Sequence, residues 1–565
     1  MKRLPLIYNS GMRHILLIAA GVFALAAQDR PDLTVVSRIK TEAFDNSRVM
    51  DTMSYLTDVY GPRLTASPEW RQAADWAVQR LQGYGVQNVH LEKWGSFGRS
   101  WSPKQYSVEM LEPRYALLDA APLAWSDNTA AAVTAELMAA PFGSGVRSFD
   151  PKKLAADLDK FIQDYKGKLR GKVILMNALK QNEPESLPLF SRYSDKELGD
   201  LAASPAPAAK MEPDLKNLKF PDDPKELMRF YMSLPASLRE QFSNERKALM
   251  AKRAKFLKDE GVAAVLTRDD RARNGMLFAE AAGPYEAKDP LAPATFVVTE
   301  EQYNRMARLV EKNIPVTVRV NMRAEISDSN QDAYNIVGEI PGGAKKDELV
   351  MIGAHFDSWH TGTGATDNGA GSAVMIEVMR ILKALDLKLD RTVRIALWSG
   401  EEQGLLGSKA YVKEHFGDPE TMKLTEAHAK LCGYFNLDNG SGKIRGAYLQ
   451  NNDAMRPIFE TWLAPFRDLG VSTITIRNTG GTDHLSFDEV GLPGFQFVQD
   501  PLEYSTVTHH SNIDTLDHIQ ASDLMQASAV IASVVYDAAN RAEMLPRKAL
   551  PKPRAKAPAA SGAGF

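Results

Sequence analysis

Histidine and carboxylate side chains, the residue types that bind divalent metal ions, cluster between residues 348 and 402 of the chain. His355 and Asp357 directly follow one apolar run, Asp367 precedes a helical pattern, and Glu401–Glu402 follows a second apolar run. Further along the chain, His484, His509 and His510 also lie next to carboxylates or turn residues. Two histidines with several carboxylates suit zinc, or two zinc ions that share a bridging carboxylate. Hydrolysis also needs a general base beside the attacking water, and one glutamate of the pair can supply it while the other binds metal.

The apolar runs around these residues predict the elements that position them. Residues 349–354 and 393–398 are short, apolar and β-branched, which predicts buried strands, and residues 371–385 carry apolar side chains at helical spacing. His355, the helix-opening Asp367 and the glutamate pair then lie at the carboxyl ends of strands. In open α/β sheets this edge is where ligands bind, so the pattern predicts a single site there.

The whole chain, with 565 residues, exceeds one typical hydrophobic core, and two domains are expected. Short strands at 173–175, 263–266, 296–298 and 316–320 indicate a β-rich domain that interrupts an α/β domain. We predict the following division: a leader at 1–27, the first part of the catalytic domain at 28–115, a β-rich insert at 116–325, the second part of the catalytic domain at 326–545, and a disordered tail rich in Pro, Ala and Lys at 546–565.

A charged, proline-punctuated segment at about 184–258 lies within the predicted insert. Residues 225–233 and 238–256 have helical character there. Two interpretations stay open: a solvated helical elaboration, or a lid over the active site.

Composition and the amino terminus indicate the class of protein. A net charge of -3 argues against a nucleic-acid partner, and the single cysteine, Cys432, is expected to be a buried and inert thiol. Residues 15–27 form an apolar run that ends in a small-x-small pattern, typical of a signal peptide that begins at Met1 or Met12. The run is shorter than the roughly 20 residues of a membrane span, so we expect a cleaved signal peptide rather than an uncleaved anchor. The protein would then be exported, periplasmic or secreted, without stable membrane insertion.

Six segments in order along the chain resemble the co-catalytic dinuclear zinc exopeptidases, the bacterial leucyl aminopeptidase and plasma glutamate carboxypeptidase type: GAHFDSW, GATDNGAG, ALWSGEEQGLLGS, NLDNG, GGTDHLSF and THHSNIDTLDHI. The resemblance covers roughly residues 28–115 and 325–545. It implies an α/β fold, in which a mixed-sheet, phosphorylase/hydrolase-like catalytic domain is interrupted by a β-rich protease-associated-like domain.

The resemblance also implies two Zn²⁺ ions bridged by one carboxylate. His355, Asp438 and the bridging Asp367 would hold one ion, and Glu402, His510 and the same Asp367 would hold the other. The bond from Asp367 to Asn368 would be cis.

Three further residues take roles by the same resemblance. Glu401 matches the general base, which deprotonates a water held between the metals, and Asp357 matches the carboxylate that orients the first histidine ligand. His509 occupies a position where many members carry a tyrosine that polarises the scissile carbonyl, and it would take that role here.

The remaining histidines carry less specific signals. Asp483–His484 lines the substrate pocket or caps a helix, and both interpretations stay open. Four others are expected at the surface or at helix caps: His360, His415, His428 and His518.

The sequence therefore predicts an exported zinc exopeptidase, an aminopeptidase or dipeptidase, acting on peptides or dipeptides near a free amino terminus. A glutaminyl cyclase-like transferase and a non-catalytic receptor-like binding protein are the alternatives. The insert argues against the first, and the retention of every implied metal ligand argues against the second. Homodimers occur in the resembled branch, so a homodimer is also an expectation.

Overall fold

The computed structural model describes residues 29–143, 150–181, 188–206, 220–221, 230, 234, 236–329 and 332–554. The predicted leader at 1–27 and most of the predicted helix at 225–233 lie outside these residues. Among the described residues, no helix is both long and apolar enough to cross a membrane.

Two large mixed sheets organise the described chain. The strands are β1 (Gln87–Ser96), β2 (Ser100–Glu112), β3 (Ala116–Leu117), β4 (Ala120–Pro122), β5 (Val133–Ala139), β6 (Val173–Leu175), β7 (Ala264–Thr267), β8 (Thr295–Val298), β9 (Thr317–Ser327), β10 (Asp332–Ile340), β11 (Lys345–His355), β12 (Arg391–Trp398), β13 (Gly417–Asp418), β14 (Lys423–Leu424), β15 (Leu431–Asn436), β16 (Ile444–Tyr448), β17 (Thr473–Thr475) and β18 (Gly494–Gln499). The helices are α1 (Leu33–Asp45), α2 (Val49–Ser54), α3 (Pro68–Gly83), α4 (Pro151–Tyr165), α5 (Asp195–Ala202), α6 (Ala236–Asp259), α7 (Glu300–Glu311), α8 (Ala370–Ala384), α9 (Leu406–His415), α10 (Glu426–Lys430), α11 (Arg456–Leu463), α12 (His484–Asp488) and α13 (Ala521–Asn540).

The first sheet has the strand order β1-β10-β12-β11-β15-β18-β16-β17. Its centre, from β12 through β11 and β15 to β18, is parallel, whereas β1, β10 and β16 each run antiparallel to a neighbour. Helix α8 is buried along almost its whole length and packs against β11 and α13, as expected for a helix with apolar residues on most of its surface. The predicted strands and helix between residues 349 and 398 are confirmed.

The second sheet has the order β3-β2-β9-β5-β6-β7-β8-β4, with a parallel centre from β5 to β8. Strand β2 pairs with β9 along most of its length, so a strand expected in the first part of the catalytic domain belongs to this sheet. We call residues 100–327 the second-sheet region, and we propose that it is the inserted domain, with its first boundary nearer residue 100 than 116.

The charged segment inside the second-sheet region contains α5 and α6, and α6 includes the predicted helix at 238–256. Side chains on one face of α6 line the cavity over the predicted site, which favours the lid over a purely solvated elaboration.

The prediction of a disordered tail from residue 546 is wrong for its first part. Arg547 donates to the backbone carbonyls of His428 and Leu431, and Lys548 forms an ion pair with Asp488. Residues 546–554 are therefore tied to the catalytic domain by their basic side chains, and residues 555–565 lie outside the described part of the chain.

Candidate metal centre

Three parallel strands deliver the predicted site residues to one edge of the first sheet. His355 is the last residue of β11 and pairs in register with Trp398, the last residue of β12. Strand β15 ends two residues before Asp438, and the loop after β12 carries Glu401 and Glu402. The convergence that the sequence predicts is present in the structure.

Asp367 lies between the imidazoles of His355 and His510, in the turn that leads into α8. The peptide bond from Asp367 to Asn368 is cis, as predicted. The backbone N–H groups of Thr366 and Asp367 donate to the carboxylate of Asp514, over 2.6 and 3.2 Å. Asp514 therefore holds the turn that aims Asp367 into the site.

The two oxygens of Asp367 face different imidazoles. Oδ1 lies 3.2 Å from Nε2 of His355, and Oδ2 lies 3.3 Å from Nε2 of His510. Oδ1 of Asp438 is 3.3 Å from the same nitrogen of His355, and Oε2 of Glu402 is 3.0 Å from the same nitrogen of His510. Two groups of donors thus meet at one shared carboxylate.

Each imidazole is held through its other nitrogen. Nδ1 of His355 lies 3.0 Å from the backbone carbonyl of Asp357 and 3.6 Å from the Asp357 carboxylate. Nδ1 of His510 lies 2.9 Å from Oε1 of Glu280, a residue of the second-sheet region. In both rings Nε2 is consequently left to face the carboxylates.

Asp357 also links the two strand ends. Its carboxylate accepts from the hydroxyl of Thr65 at 2.8 Å and from the backbone N–H groups of Glu401 and Glu402 at 3.4 Å each. Both glutamates line the cavity, and the side chain of Glu402 is 3% exposed. They differ in their contacts: Oε2 of Glu402 faces Nε2 of His510, whereas among the described residues no histidine nitrogen lies within 4.0 Å of the Glu401 carboxylate.

His509 follows the turn at 504–508 and lies beside the shared carboxylate. Its ring stacks on that of His510 at a centroid distance of 3.8 Å, and its Nε2 is 3.7 Å from Oδ2 of Asp367. The enclosed cleft and the adjacent His510 lower the pKa of His509 to about 3, so its ring is neutral.

The electrostatics are those of a crowded carboxylate cluster. Burial raises the pKa of Glu402 to about 7 and that of Glu401 well above its ordinary value. Burial also opposes ionisation of Asp367, yet the imidazoles of His355 and His510 hold its pKa well below the ordinary value. Ionisation of the two glutamates is therefore unfavourable without a nearby positive charge, and a cation beside the cluster would favour their charged forms.

The donor atoms fit zinc. Oδ2 of Asp367 and Oε1 of Glu402 are buried and accept no hydrogen bond from any part of the chain that the structure describes. A buried carboxylate oxygen without a partner is costly unless a cation occupies the space beside it. At this site, two groups of residues offer ligand atoms within 4.8 Å of one another: His355, Asp367 and Asp438, and Asp367, His509 and His510. Imidazole nitrogen and carboxylate oxygen are ordinary zinc ligands.

The cluster opens into a cavity of about 530 Å³ between the edge of the first sheet and helix α6. Its floor includes Glu401, Glu402 and Asp438, and its roof includes four residues of α6: Arg239, Ser243, Asn244 and Lys247. These four are spaced so that they share one helix face. Two further basic residues, Lys409 and Arg554, lie on its wall.

Several outcomes for the other histidines differ from expectation. His484 is buried and lies close to Gln450 and the backbone carbonyl of Thr479, so it lies behind the cavity rather than lining it. His360 and His428 are buried, with ring nitrogens 2.7 and 2.9 Å from backbone carbonyls, and the surface prediction is wrong for both. His415 and His518 are partly exposed, beside Glu92 and Glu503.

Comparison with known proteins places this site in a family context. Residues 335–535 match the sequence profile of Peptidase family M28. Carboxypeptidase Q from Bos taurus is 26% identical over 519 residues, which cover 91% of this chain and 89% of that protein. Aminopeptidase YwaD from Bacillus subtilis (strain 168) is 29% identical over 307 residues, which cover 52% of this chain and 64% of that protein.

Two solved structures share the fold. The Peptidase M28 precursor from Shewanella amazonensis SB2B gives a TM-score of 0.61 at 24% identity, with 92% of this chain and 98% of that chain covered. A zinc aminopeptidase from Bacillus subtilis gives a TM-score of 0.51 at 18% identity, with coverage of 87% and 94%. The predicted α/β fold is confirmed, and the profile match spans every clustered residue from His355 to His510.

Proposed function

We propose that this chain, a metallo-exopeptidase whose residues 335–535 belong to Peptidase family M28, hydrolyses peptide bonds next to a free amino terminus and is exported. The observation that carries the proposal is the position of Asp367, because its two oxygens face His355 and His510 separately. A carboxylate placed in this way can bridge two cations, the arrangement of two-metal hydrolytic sites.

We assign the ligands from these contacts. His355, Asp367 and Asp438 would hold one Zn²⁺, and Asp367, Glu402 and His510 would hold the second. Zinc is supported by the nitrogen and oxygen donors, and the solved relative from Bacillus subtilis is a zinc aminopeptidase.

The chemistry divides between the metals and the side chains. When bound, zinc ions polarise the scissile carbonyl and make a water molecule more acidic. Glu401, which lines the cavity, accepts the proton of the attacking water on its carboxylate and returns it to the leaving amine. Neutral His509 donates a hydrogen bond to the oxygen on which negative charge develops.

Asp357 positions this machinery without touching the substrate. It fixes His355 on one side and the backbone of Glu401 and Glu402 on the other. Because one carboxylate holds both strand ends, a shift of the base relative to the first histidine ligand would break its hydrogen bonds.

A free α-amine is the feature that we expect the site to select. Glu401 and Asp438 line the floor of the cavity and can pair with an ammonium group close to the scissile carbonyl. Removal of the ammonium charge leaves a carboxylate without its partner, at a cost of several kcal/mol. A volume of about 530 Å³ suits a small ligand, which favours short peptides.

The roof of the cavity favours a dipeptidase as the second candidate function. Arg239 and Lys247 of α6, together with Lys409 and Arg554, bring positive charge to the side opposite the carboxylate floor. A dipeptide would place its α-amine at the floor and its carboxylate toward these cations.

The test compares rates on a dipeptide with both ends free, its N-acetylated form and its C-amidated form, all with zinc present. We expect N-acetylation to lower kcat/KM by about a hundredfold or more, which corresponds to about 3 kcal/mol. A comparable loss on amidation would identify a dipeptidase, and an unchanged rate would leave an aminopeptidase. Equal rates on free and acetylated substrates would contradict the exopeptidase proposal.

Export rests on the amino-terminal pattern at residues 15–27. We expect protein recovered from the periplasm or medium to begin near residue 28. An intact amino terminus on protein found only in the cytoplasm would contradict export.

A further inference from the structure

A segment of the second-sheet region runs beside the loop that carries His510. The backbone N–H of Ala279 donates to the carbonyl of His510 at 3.3 Å, and the N–H of Asn512 donates to the carbonyl of Leu277 at 2.9 Å. The N–H of Leu277 donates in turn to the side chain of Asn512 at 2.8 Å. The two stretches therefore pair antiparallel, although more than two hundred positions separate them in the chain.

The pairing holds His510 in an unusual backbone conformation. Its φ is +61°, in the left-handed region that only a few per cent of non-glycine residues occupy, although histidine is found there more often than most. Such a conformation persists where the surrounding structure imposes it. Here the carbonyl of His510 is fixed by Ala279, so the second-sheet region helps to impose it.

Glu280 continues the same contact through its side chain. Its Oε1 lies 2.9 Å from Nδ1 of His510, while Nε2 of His510 faces Glu402 and Asp367. A carboxylate that accepts from Nδ1–H keeps the proton on that nitrogen and leaves the Nε2 lone pair for a metal. Arg271 lies 3.4 Å from Glu280, and its guanidinium stacks over the ring of Phe278 at 4.3 Å.

The two histidines of the centre differ in this respect. Nδ1 of His355 is held at 3.0 Å by a backbone carbonyl within its own domain, whereas Nδ1 of His510 is held by a carboxylate from the second-sheet region. One half of the centre is consequently complete within the catalytic domain, and the other half depends on the second-sheet region.

We propose that Glu280 is a positioning residue for His510, through which the second-sheet region completes the half of the metal centre formed by Asp367, Glu402 and His510. The inference rests on the proposed two-zinc function. It assigns to the second-sheet region a role in metal retention in addition to its role as a roof over the substrate.

The test measures zinc affinity by competition with a chromophoric chelator for the full chain and three variants. Glu280→Ala removes the acceptor, Glu280→Gln keeps an oxygen that can accept from Nδ1–H, and Glu301→Gln changes an exposed carboxylate of the same region as a control. We expect Glu280→Ala to bind one of two zinc ions about 10–100-fold more weakly and the other with unchanged affinity. Glu280→Gln should restore much of the loss, and Glu301→Gln should match the wild type.

Circular dichroism and the unfolding midpoint of each zinc-free variant show whether the fold is retained. The inference is overturned if Glu280→Ala binds two zinc ions with wild-type affinity, or if a folded variant loses affinity equally for both ions. Either result leaves the proposed function intact. A wild-type chain that binds no zinc would instead refute the proposed function, and this inference with it. Failure of Glu280→Gln to exceed Glu280→Ala would also count against the hydrogen-bonding role.

Discussion

Replacement of Glu401 with glutamine removes a proton acceptor and a negative charge but preserves the size of the side chain. Both glutamates line the cavity, but Glu402 also places its Oε2 3.0 Å from Nε2 of His510. The two positions therefore predict different defects. Glu401→Gln should lose turnover and keep zinc, and Glu402→Gln should lose affinity for the ion held with His510.

The size of the loss follows from the role of the base. Positioned general bases contribute about 10²–10⁴-fold to rates, or about 3–5 kcal/mol of transition-state stabilisation. We expect kcat of Glu401→Gln to fall by this factor while both zinc ions stay bound, because the ligands of both proposed metals remain. KM for a free dipeptide should also rise, since Glu401 is one of the two proposed partners of the α-amine. Since a base must be deprotonated to act, the wild-type rate should fall as pH falls through the pKa of Glu401, and the variant should lack this acid limb.

The assay pairs kcat and KM on a free dipeptide with the zinc content of the same preparation. Glu402→Gln is the matched control, since the same chemical change is made one residue away. The reasoning is refuted if Glu401→Gln loses zinc while Glu402→Gln keeps both ions and loses turnover. In that case the roles of base and ligand must be exchanged.

Three further predictions concern the cavity roof, the turn that supports the site, and pH. Lys247→Gln should raise the KM of a free dipeptide about 3–10-fold and leave the KM of its C-amide unchanged. Lys252→Gln, on the same helix but paired with Asp159 outside the cavity, is the control and should change neither KM value. An equal rise in KM for the dipeptide and its C-amide would contradict this prediction. Arg63→Met should lower the free energy of unfolding by about 3–5 kcal/mol, because the buried guanidinium donates to four backbone carbonyls. Urea titration measures this loss, and a value below about 1 kcal/mol would contradict the prediction. Burial raises the pKa of both Glu402 and Asp514 to about 7, so these carboxyls hold protons in the folded, zinc-free state that the unfolded chain has already released. Stability of EDTA-treated protein should therefore fall as pH rises from about 6 to 8, by about 1–1.5 kcal/mol for each group, and a rise over that interval would contradict the assignment.

The centre of the fold and the cluster were predictable because their signals are local. His355 and Glu401–Glu402 each follow a short apolar run directly, and strand ends of a parallel sheet must meet at one edge. The cis bond after Asp367 and the role of Asp438 were predictable only from the resemblance, since neither spacing nor composition specifies them.

Residues that reach the site from distant parts of the sequence carry no local sequence signal for this role. Glu280 contacts His510 from a position 230 residues away, and Lys247 reaches the cavity from a charged helix whose sequence is that of an ordinary solvated element. Asp514 lies within a motif of the resemblance, but its role depends on the backbone turn at Asp367, which only the structure shows.

Polar side chains are not always exposed, and the predictions for His360 and for the carboxyl-terminal tail were wrong for this reason. Nε2 of His360 lies 2.7 Å from the carbonyl of Pro122, and the ring packs edge-on against Trp101, so this polar side chain is buried. The basic residues after 546 are compositionally typical of a disordered tail, yet Arg547 and Lys548 find carbonyl and carboxylate partners on the catalytic domain.

The zinc content of the purified full chain tests the central claim most directly. Protein prepared without chelators should contain two zinc ions per chain by elemental mass spectrometry, because the two oxygens of Asp367 serve two separate groups of ligands. Asp367→Ala should lower the affinity for both ions, since the bridge is common to them. A wild-type chain with no tightly bound metal, or with a single ion that Asp367→Ala leaves in place, would contradict the account.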